Sequence, residues 1–274
     1  MEFRSNEIMH GEDAPFYRSL FKSMGYSDHE LDHRPLIGIA NTWNTCVPGH
    51  FNLNQVNEFV KKGIYSAGGT AVEFGTIGCC DGVAQGHIGM NYILPSREII
   101  CNSVEVMVQA HRFDGIVLLA SCDKIVPGML MAAARLDIPA IVCVGGPMLG
   151  GIEFDGRKSD LTSIDEAKGM CAAGKIAECE YKALENTACP SCGSCSFLGT
   201  ANSMCCVSEA LGMSLPGSAL IPAPYGERLR SSFAAGEAIV NLVMKGITAR
   251  QVITKESIRN AIKVTMAICG STNA

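Results

Sequence analysis

Four short apolar runs, each followed by residues with helical spacing, constrain the fold of this chain more than any other feature. The runs occupy residues 35–41, 71–77, 115–120 and 138–146. Strands that alternate with helices are typical of a parallel sheet, and strands that are apolar throughout are typical of a sheet covered on both faces. We therefore predict an α/β fold with a parallel sheet covered by helices on both faces and additional helices in the second part of the chain.

The spacing of the other residues predicts the remaining elements. Residues 1–34 are polar and mixed, which indicates a helical arm ahead of an α/β domain over 35–274. A Thr-Ala-Arg-Gln capping box at position 248 marks the start of the last helix. The apolar spacing predicts helices over 53–65, 97–111, 129–136, 164–186, 200–211, 227–245 and 248–268.

Composition and charge exclude several classes of protein. The net charge is −5, with no basic stripe and a single tryptophan, which argues against a nucleic-acid surface. No apolar run reaches the roughly 18 residues of a membrane span, and the opening residues MEFRSNEIMHGEDAPF contain no apolar signal stretch. Fourteen cysteines in such a chain indicate free thiols in a reducing cytoplasm, some of them serving as metal or cluster ligands.

Most chemically reactive residues of the first half follow the predicted strands. The segments are NTWNTCVPGH from residue 41, GCCDGVAQGH from 78, SCDKIVPG from 121 and GGPM from 145. In parallel sheets the ligand binds beyond the carboxyl ends of the strands. These loops are therefore expected to form one shared site.

The segment CPSCGSC places Cys189, Cys192 and Cys195 at regular spacing in one loop. Thiolates so spaced can face a single centre, and the spacing resembles iron–sulfur loops, although the fourth cysteine and following proline of the ferredoxin pattern are absent. Zinc is the alternative, but three cysteines are too few for a closed structural zinc site. Plain buried thiols remain the third interpretation for one or two of them.

Two other loops carry acidic residues next to cysteines. Cys122, Asp123 and Lys124 are adjacent at a predicted strand end, where an aspartate can bind a hard cation and a desolvated lysine can act as a base. A turn with a solvated Asp–Lys pair is the alternative. Cys80 and Asp81 precede a glycine, so an ordinary turn explains this loop equally well.

Taken together, the motifs resemble those of the dihydroxy-acid dehydratase and phosphogluconate dehydratase family. The resemblance runs from about residue 4 to the last residue. It is carried by PLIGIANTWN, VPGH, AGGTAVEFGTI, CDGVAQGHIGM, LPSREII, CDKIVPGMLMAAARLDIPAI, CPSCGSCSFLGTANSM and MAICGSTNA, in this order. CPSCGSC, TANSM and LPSRE are typical of the dihydroxy-acid dehydratase branch.

The resemblance implies a hydro-lyase that removes water from a small 2,3-dihydroxy acid and gives a 2-keto acid. The expected substrates are 2,3-dihydroxy-3-methylbutanoate and the corresponding pentanoate, in branched-chain amino acid biosynthesis. A sugar-acid dehydratase of the same family is the alternative. A non-catalytic iron–sulfur protein made from a dehydratase half is a further alternative, which would need neither the two aspartates nor the lysine.

The resemblance also implies an iron–sulfur cluster and Mg²⁺. By motif match, Cys122 and Cys195 are cluster ligands, and Asp81 and Asp123 are magnesium ligands. Lys124 matches a lysine that is carboxylated and then binds the same Mg²⁺, and we expect it to act in catalysis.

One departure from the family pattern concerns the third cluster ligand. Members with a [2Fe-2S] cluster have cysteine directly after the proline of the first loop, where this chain has Gly49. Cys46 is the first candidate to replace it, followed by Cys80 and Cys192. Members with VPGH are generally associated with a [4Fe-4S] cluster, which we favour over [2Fe-2S].

A second departure concerns length, because family members are about twice as long. The resemblance implies that this chain is an N-terminal half, and that the serine that takes the C2 proton and a further Mg²⁺ ligand lie in the later part. The apolar residues Ile258, Ile262, Met266 and Cys269 are expected to pack on that complementary half or on a second subunit of a homodimer. The chain alone is therefore expected to be inactive.

Overall fold

The predicted parallel sheet is present in the structure, a computed structural model that describes residues 3–274. Four strands, all parallel, form a sheet in the order β2-β1-β3-β4. Their bounds are β1 Leu36–Asn41, β2 Thr70–Gly75, β3 Gly115–Ala120 and β4 Ala140–Val144, and a separate hairpin joins β5 Glu153–Phe154 to β6 Arg157–Lys158. The prediction of an α/β fold is confirmed.

Thirteen α-helices lie in the described residues, with two short 3₁₀ helices at Pro48–His50 and Ile88–Tyr92. Their bounds are α1 Asn6–Met9, α2 Ala14–Ser23, α3 Asp28–Asp32, α4 Leu53–Ser66, α5 Asp81–Ala84, α6 Ile93–His111, α7 Ile125–Leu136, α8 Leu161–Ala172, α9 Glu178–Thr187, α10 Thr200–Ala210, α11 Gly226–Lys245, α12 Ala249–Val252 and α13 Lys255–Ala267.

Side chains that alternate along each strand divide the core between the two faces of the sheet. On β1, Ile37 and Ile39 belong to one buried cluster, with residues of α4 and α11. Leu36 and Ala40 belong to another buried cluster, with residues of α6 and α7. All residues of β1, β3 and β4 are buried, because both faces are covered. This explains why the strands read as continuous apolar runs.

The contact between α4 and α11 depends on two glycines. A Cβ atom added to Gly63 would collide with the carbonyl oxygen of Phe233, and one added to Gly236 would collide with that of Val60. The backbones of the two helices therefore approach more closely than any side chain at these positions allows.

The strand order places a topological switch point between β1 and β3. The chain leaves β1 towards β2 on one side, and leaves β3 towards β4 on the other. Ligand sites in such sheets form in the crevice at this point, beyond the carboxyl ends of the strands. The loops that begin at residues 41 and 121 flank this crevice.

Short helices occupy the predicted arm, whose first two residues lie outside the described part of the chain. Asp114 anchors the arm, because its carboxylate accepts hydrogen bonds from the main-chain N–H and hydroxyl of Ser5 at 2.9 and 2.8 Å and from the N–H of Leu36 at 2.7 Å. Met9 and Phe21 belong to the same buried cluster as Leu36, so the arm packs onto the core.

Contacts from outside the sheet lie on each of its two edges. On β2, the carbonyl of Ala71 accepts a hydrogen bond from the hydroxyl of Tyr26 at 3.1 Å. On β4, the N–H of Val142 donates to the carbonyl of Met213 at 2.7 Å. Neither edge strand therefore presents a wholly free row of backbone groups.

Two predicted helices are each divided in the structure, so the predictions of single helices over 164–186 and 248–268 are wrong. The first is interrupted at Gly174, whose φ of +68° is left-handed, and helix α9 starts only at residue 178. The second ends after α12, and Thr254 caps a new helix by accepting a hydrogen bond from the N–H of Ser257. In both places a local cap is favoured over continuation of the helix.

Candidate metal centre

Cysteines from three loops that are distant in sequence line one cavity of about 290 Å³, which we call the thiol cavity. The first two of these loops follow β2 and β3, and the third is the CPSCGSC segment. The cavity is lined by Pro48, Gly49, Cys80, Gly82, Val83, Cys122, Met148, Leu161, Cys189, Ser191, Gly193, Ser194 and Cys195. Four cysteines thus face one space.

Backbone hydrogen bonds fix the CPSCGSC segment against the sheet. The N–H of Ser194 donates to the carbonyl of Gly146 at 3.0 Å, and the N–H of Met148 donates to the carbonyl of Ser194 at 2.8 Å. Gly193 donates to the carbonyl of Pro48 at 3.0 Å. Its φ is +134°, and a Cβ there would collide with the N–H of Met148, so only glycine allows this approach.

Cys80, Asp81 and Cys122 form the tightest group of possible ligands. One ligand atom from each lies within 4.8 Å of the others. The Sγ of Cys122 lies 3.8 Å from Oδ1 of Asp81. The loops after β2 and β3 therefore place two thiols and a carboxylate around one point.

The pKa values of the thiols reflect their closeness. A hydrogen bond with Cys122 lowers the pKa of Cys80 to about 6. The same closeness and burial raise the pKa of Cys122 well above its usual value. Burial and the charges of Asp81 and Cys80 raise the pKa of Cys195 to about 12. The site thus concentrates negative groups that a cationic centre would stabilise.

The acidic residues lie beside the thiols. Asp123 is 4% exposed, and its Oδ2 accepts a hydrogen bond from Nζ of Lys124 at 2.7 Å. Its Oδ1 is buried and has no hydrogen-bond partner. Burial and the neighbouring negative charge of Asp123 raise the pKa of Asp81 to about 6. A buried carboxylate oxygen without a partner is costly unless a cation or donor binds it.

The two donor sets suit two kinds of metal. Thiolates are soft ligands that bind iron in iron–sulfur clusters, whereas carboxylates bind hard cations such as Mg²⁺. The cysteines that line the cavity fit a cluster, and the unpartnered oxygen of Asp123 fits a hard cation. The residues present therefore fit both implied cofactors.

The other predicted ligands lie elsewhere. Cys46 is exposed and is absent from the cavity lining, because Oδ1 of Asn44 accepts the N–H groups of Cys46 and Val47 in a turn on the surface of the loop. Cys192 is partly buried and also lies outside the lining. Gly49 does line the cavity, and a Cβ there would lie 3.2 Å from the backbone of Ser194.

Cys189, which the sequence predicts as a possible ligand together with Cys192 and Cys195, lines the cavity. Two other residues at the site, Asn202 and His50, are not predicted by the sequence. Asn202 is buried and donates to the carbonyls of Cys195 and Phe197 at 2.6 and 2.8 Å. His50 is fully buried, and burial lowers its pKa to about 4. Their only sequence signal is a polar residue inside an otherwise buried motif.

One wall of the thiol cavity is apolar. Val83, Met148 and Leu161 are among the residues that line it. Such a wall accepts alkyl groups and offers few partners for hydroxyl groups.

In the part of the chain that the structure describes, no helix combines the length and the hydropathy needed to cross a membrane.

Comparison with known proteins agrees with the motifs. Residues 34–274 match the model of the family described as dihydroxy-acid/6-phosphogluconate dehydratase N-terminal. A dihydroxy-acid dehydratase from Caldanaerobacter subterraneus subsp. tengcongensis is 56% identical over 270 residues, which are 98% of this chain and 48% of that protein. One from Clostridium pasteurianum is 53% identical over 271 residues, 99% of this chain and 94% of that protein.

A third relative named dihydroxy-acid dehydratase, from Pyrococcus furiosus, is 53% identical over 270 residues, which are 98% of this chain and 49% of that protein. The chain thus spans about half the length of two of these three relatives. The match extends from the end of the arm through all four strands and the CPSCGSC segment. The chain therefore belongs to the dihydroxy-acid/6-phosphogluconate dehydratase family, as its motifs predicted.

Proposed function

We propose that this chain is the metal-binding half of a dihydroxy-acid dehydratase, a hydro-lyase that converts a 2,3-dihydroxy acid into a 2-keto acid and water. The observation that carries the proposal is the meeting of cysteines from three loops in one cavity, directly beside Asp81 and Asp123. The names of the relatives support the same reaction.

Cys122 and Cys195 are the proposed ligands of an iron–sulfur cluster. For the third thiolate the contacts favour Cys80, which lines the cavity, over Cys46, which is exposed outside the lining. Gly49 offers no thiol, which agrees with the [4Fe-4S] type rather than [2Fe-2S]. When bound, the cluster would supply a Lewis acid for the 3-hydroxyl group, a poor leaving group by itself.

Asp81, Asp123 and Lys124 are the proposed Mg²⁺ ligands, with Lys124 in carboxylated form. In the free amine form, Nζ of Lys124 pairs with Asp123 at 2.7 Å and leaves Oδ1 of Asp123 without a partner. Lys124 directly precedes α7, and the N-terminus of a helix favours a negative group there. Carboxylation would thus supply a third hard oxygen ligand at this point.

The carboxylates and the thiols of this chain would have different roles in the reaction. Dehydration removes the C2 proton and the C3 hydroxyl group as water, and the enol that remains becomes the 2-keto acid. With a cation bound, the side of the site formed by Asp81, Asp123 and Lys124 would hold the polar end of the substrate, and the side formed by the cysteines would hold the C3 hydroxyl group. By resemblance, the base for the C2 proton belongs to the second half of the family's proteins.

The lining of the cavity bears on the choice of substrate. Val83, Met148 and Leu161 form an apolar wall, which suits the methyl branch of 2,3-dihydroxy-3-methylbutanoate. A sugar acid would need polar partners for its extra hydroxyl groups. We therefore propose the branched-chain acid over the sugar acid, with the reducing cytoplasm as the compartment for a protein whose thiols bind a cluster.

A second half or a second copy is the proposed partner of α13. Ile258, Ile262 and Met266 lie one turn apart on this helix and are 46%, 55% and 74% exposed. They border a groove of about 550 Å³ that continues to Cys269 and the last residues. An apolar stripe of this size typically marks an interface, and the greater length of two relatives supports a second half as its partner.

Anaerobic reconstitution with iron and sulfide tests the cluster. We expect a brown protein that absorbs at about 400 nm because of charge transfer in the cluster. Cys122→Ser, Cys195→Ser and Cys80→Ser should each lose iron, and Cys46→Ser is the matched control that should retain it. Stoichiometric zinc without iron would contradict the proposal, and loss of iron in Cys46→Ser alone would restore Cys46 as the third ligand.

Activity is tested with 2,3-dihydroxy-3-methylbutanoate and Mg²⁺. The loaded chain alone should be inactive, because losing a general base typically costs about 10²–10⁴ in rate. Addition of the second half of a relative, expressed separately, should restore dehydration. Turnover by the chain alone would show that it carries its own base, and a preference for a sugar acid in the restored enzyme would reverse the choice of substrate.

A further inference from the structure

We infer that His50 is a positioning residue for the cluster site, acting through the main chain at Ser121 to fix the thiol of Cys122. The inference rests on the proposed function, since it assigns to Cys122 the role of a cluster ligand. It concerns a side chain that lies outside the lining of the thiol cavity.

The contacts of the ring define its tautomer. Nδ1 lies 2.8 Å from the carbonyl oxygen of Thr42, and a carbonyl can only accept, so Nδ1 carries the proton. In the neutral ring Nε2 then has a free lone pair. The N–H of Ser121 lies 3.3 Å from Nε2 and donates to it. Both nitrogens are thus bound to backbone groups.

These two bonds join the loops that follow β1 and β3. Thr42 directly follows β1, and Ser121 directly follows β3 and precedes Cys122. The two strands are neighbours on either side of the switch point. Rotation of the main chain at Ser121 would move the Cβ atom of Cys122, so the acceptor on His50 limits where that thiol can lie.

The third loop of the site also contacts the ring. A Cβ atom added to Gly78 would lie 2.8 Å from Nδ1 of His50, so the backbone of the loop that leads to Cys80 packs directly on the imidazole. His50 itself is fully buried. One ring therefore touches all three strand-end loops that carry the predicted ligands of the first half of the chain.

A purely structural role would depend on the ring filling space and would be lost in any substitution. A positioning role depends on one acceptor atom. His50→Gln can place an amide oxygen near the position of Nε2 and keep an acceptor for Ser121, whereas His50→Asn can place its amide group only near Nδ1. The two variants therefore separate the bond to Ser121 from the bond to Thr42.

The experiment compares the rates at which an iron chelator removes iron from the anaerobically loaded proteins. His50→Asn should release iron faster by on the order of 10–100-fold, the usual cost of losing a partner that orients a metal ligand. His50→Gln should remain close to the wild-type rate. Thr42→Val is the matched control, because it removes the hydroxyl bond to the carbonyl of Leu119 at 2.7 Å but keeps the Thr42 carbonyl.

Each outcome has one meaning. Equal rates in all variants, equal acceleration in His50→Asn and His50→Gln, or acceleration in His50→Gln alone would each overturn the inference. A wild-type chain that takes up no iron would instead overturn the proposed function. If the variants do not fold, the metal-free wild-type protein still decides, because a ¹⁵N–¹⁵N scalar coupling across the bond between Ser121 N–H and His50 Nε2 should be observed, and its absence would contradict the inference.

Discussion

The Sγ atom of Cys122 lies 3.8 Å from Oδ1 of Asp81, so a soft donor atom and a hard donor atom from two different loops are in contact. This contact joins the thiol cavity to the carboxylate group beside Lys124. A single small molecule could therefore touch both groups at once, as the proposed dehydration at adjacent carbon atoms would require.

Substitution of Asp123 should distinguish the proposed Mg²⁺ site from the proposed cluster site. Asp123→Asn should reduce the affinity of the iron-loaded chain for Mg²⁺ by at least the roughly 10–100-fold that loss of an orienting partner costs, while iron content is unchanged. Titration calorimetry with Mg²⁺ measures the affinity. Asp165→Asn, at an exposed position of α8, is the control. Equal affinity in Asp123→Asn and wild type would show that this carboxylate binds no Mg²⁺.

Stability should fall at mildly acidic pH because of His50. Its pKa is about 4 in the folded chain and about 6.5 when unfolded, so the folded state resists protonation. This stabilisation is fully present above pH 6.5 and is lost as the pH falls towards 4. At pH 5 the loss should be about 2 kcal/mol of unfolding free energy relative to pH 7.5.

Urea denaturation of the metal-free chain at the two pH values measures this effect. The difference in unfolding free energy between the two pH values should shrink by about that amount in His50→Gln, which carries no titrating ring. It should be unchanged in the control His111→Gln, at an exposed position. An equal pH dependence in wild type and His50→Gln would mean that the buried ring is not the group responsible.

Two glycine substitutions should have opposite effects on stability. Gly63→Ala forces apart α4 and α11 and should cost on the order of 1–3 kcal/mol, because the added methyl group meets the backbone of Phe233. Gly169→Ala, inside α8 with open space around it, should stabilise the chain by about 0.4–1 kcal/mol. Unfolding free energies from urea denaturation check both. A neutral Gly63→Ala would show that the helices can separate freely.

Removal of Asp114 should loosen the N-terminal arm. Asp114→Ala leaves the buried N–H groups of Ser5 and Leu36 without acceptors and should cost about 3 kcal/mol. Ser5→Ala removes only the hydroxyl group and should cost about 1 kcal/mol. Hydrogen exchange of the Leu36 amide reports the same change locally. Equal costs for the two variants would mean that the carboxylate does not hold the backbone.

The sequence predicts the sheet well because β1, β3 and β4 read as nearly continuous apolar runs, as burial on both faces requires. It predicts helices less well where short caps interrupt them, as at Gly174 and Thr254, since such signals resemble ordinary helical composition. The candidate site likewise contains residues that the sequence predicts well and residues that it predicts less well. Cys122 and Cys195 stand in specific motifs, but the choice between Cys46 and Cys80 depends on how the first loop turns around Asn44, which spacing alone does not encode.

His50 and Asn202 could not be singled out for a similar reason. Their roles arise from backbone groups that are distant in sequence and become neighbours only when the loops meet, such as Thr42 and Ser121 around the imidazole. Resemblance to a family transfers ligands residue by residue, whereas the groups that hold those ligands in place become visible only in three dimensions.

The contacts on the two outer strands have a consequence for self-assembly. An open strand edge is a template on which another copy can add a strand and begin a fibre. Here a strand from another copy that pairs with β2 would have to displace the hydroxyl of Tyr26 from the carbonyl of Ala71. One that pairs with β4 would have to displace the carbonyl of Met213 from the N–H of Val142. The N-terminal arm and the segment around Met213 therefore hinder the pairing of either sheet edge with a strand from another copy of the chain.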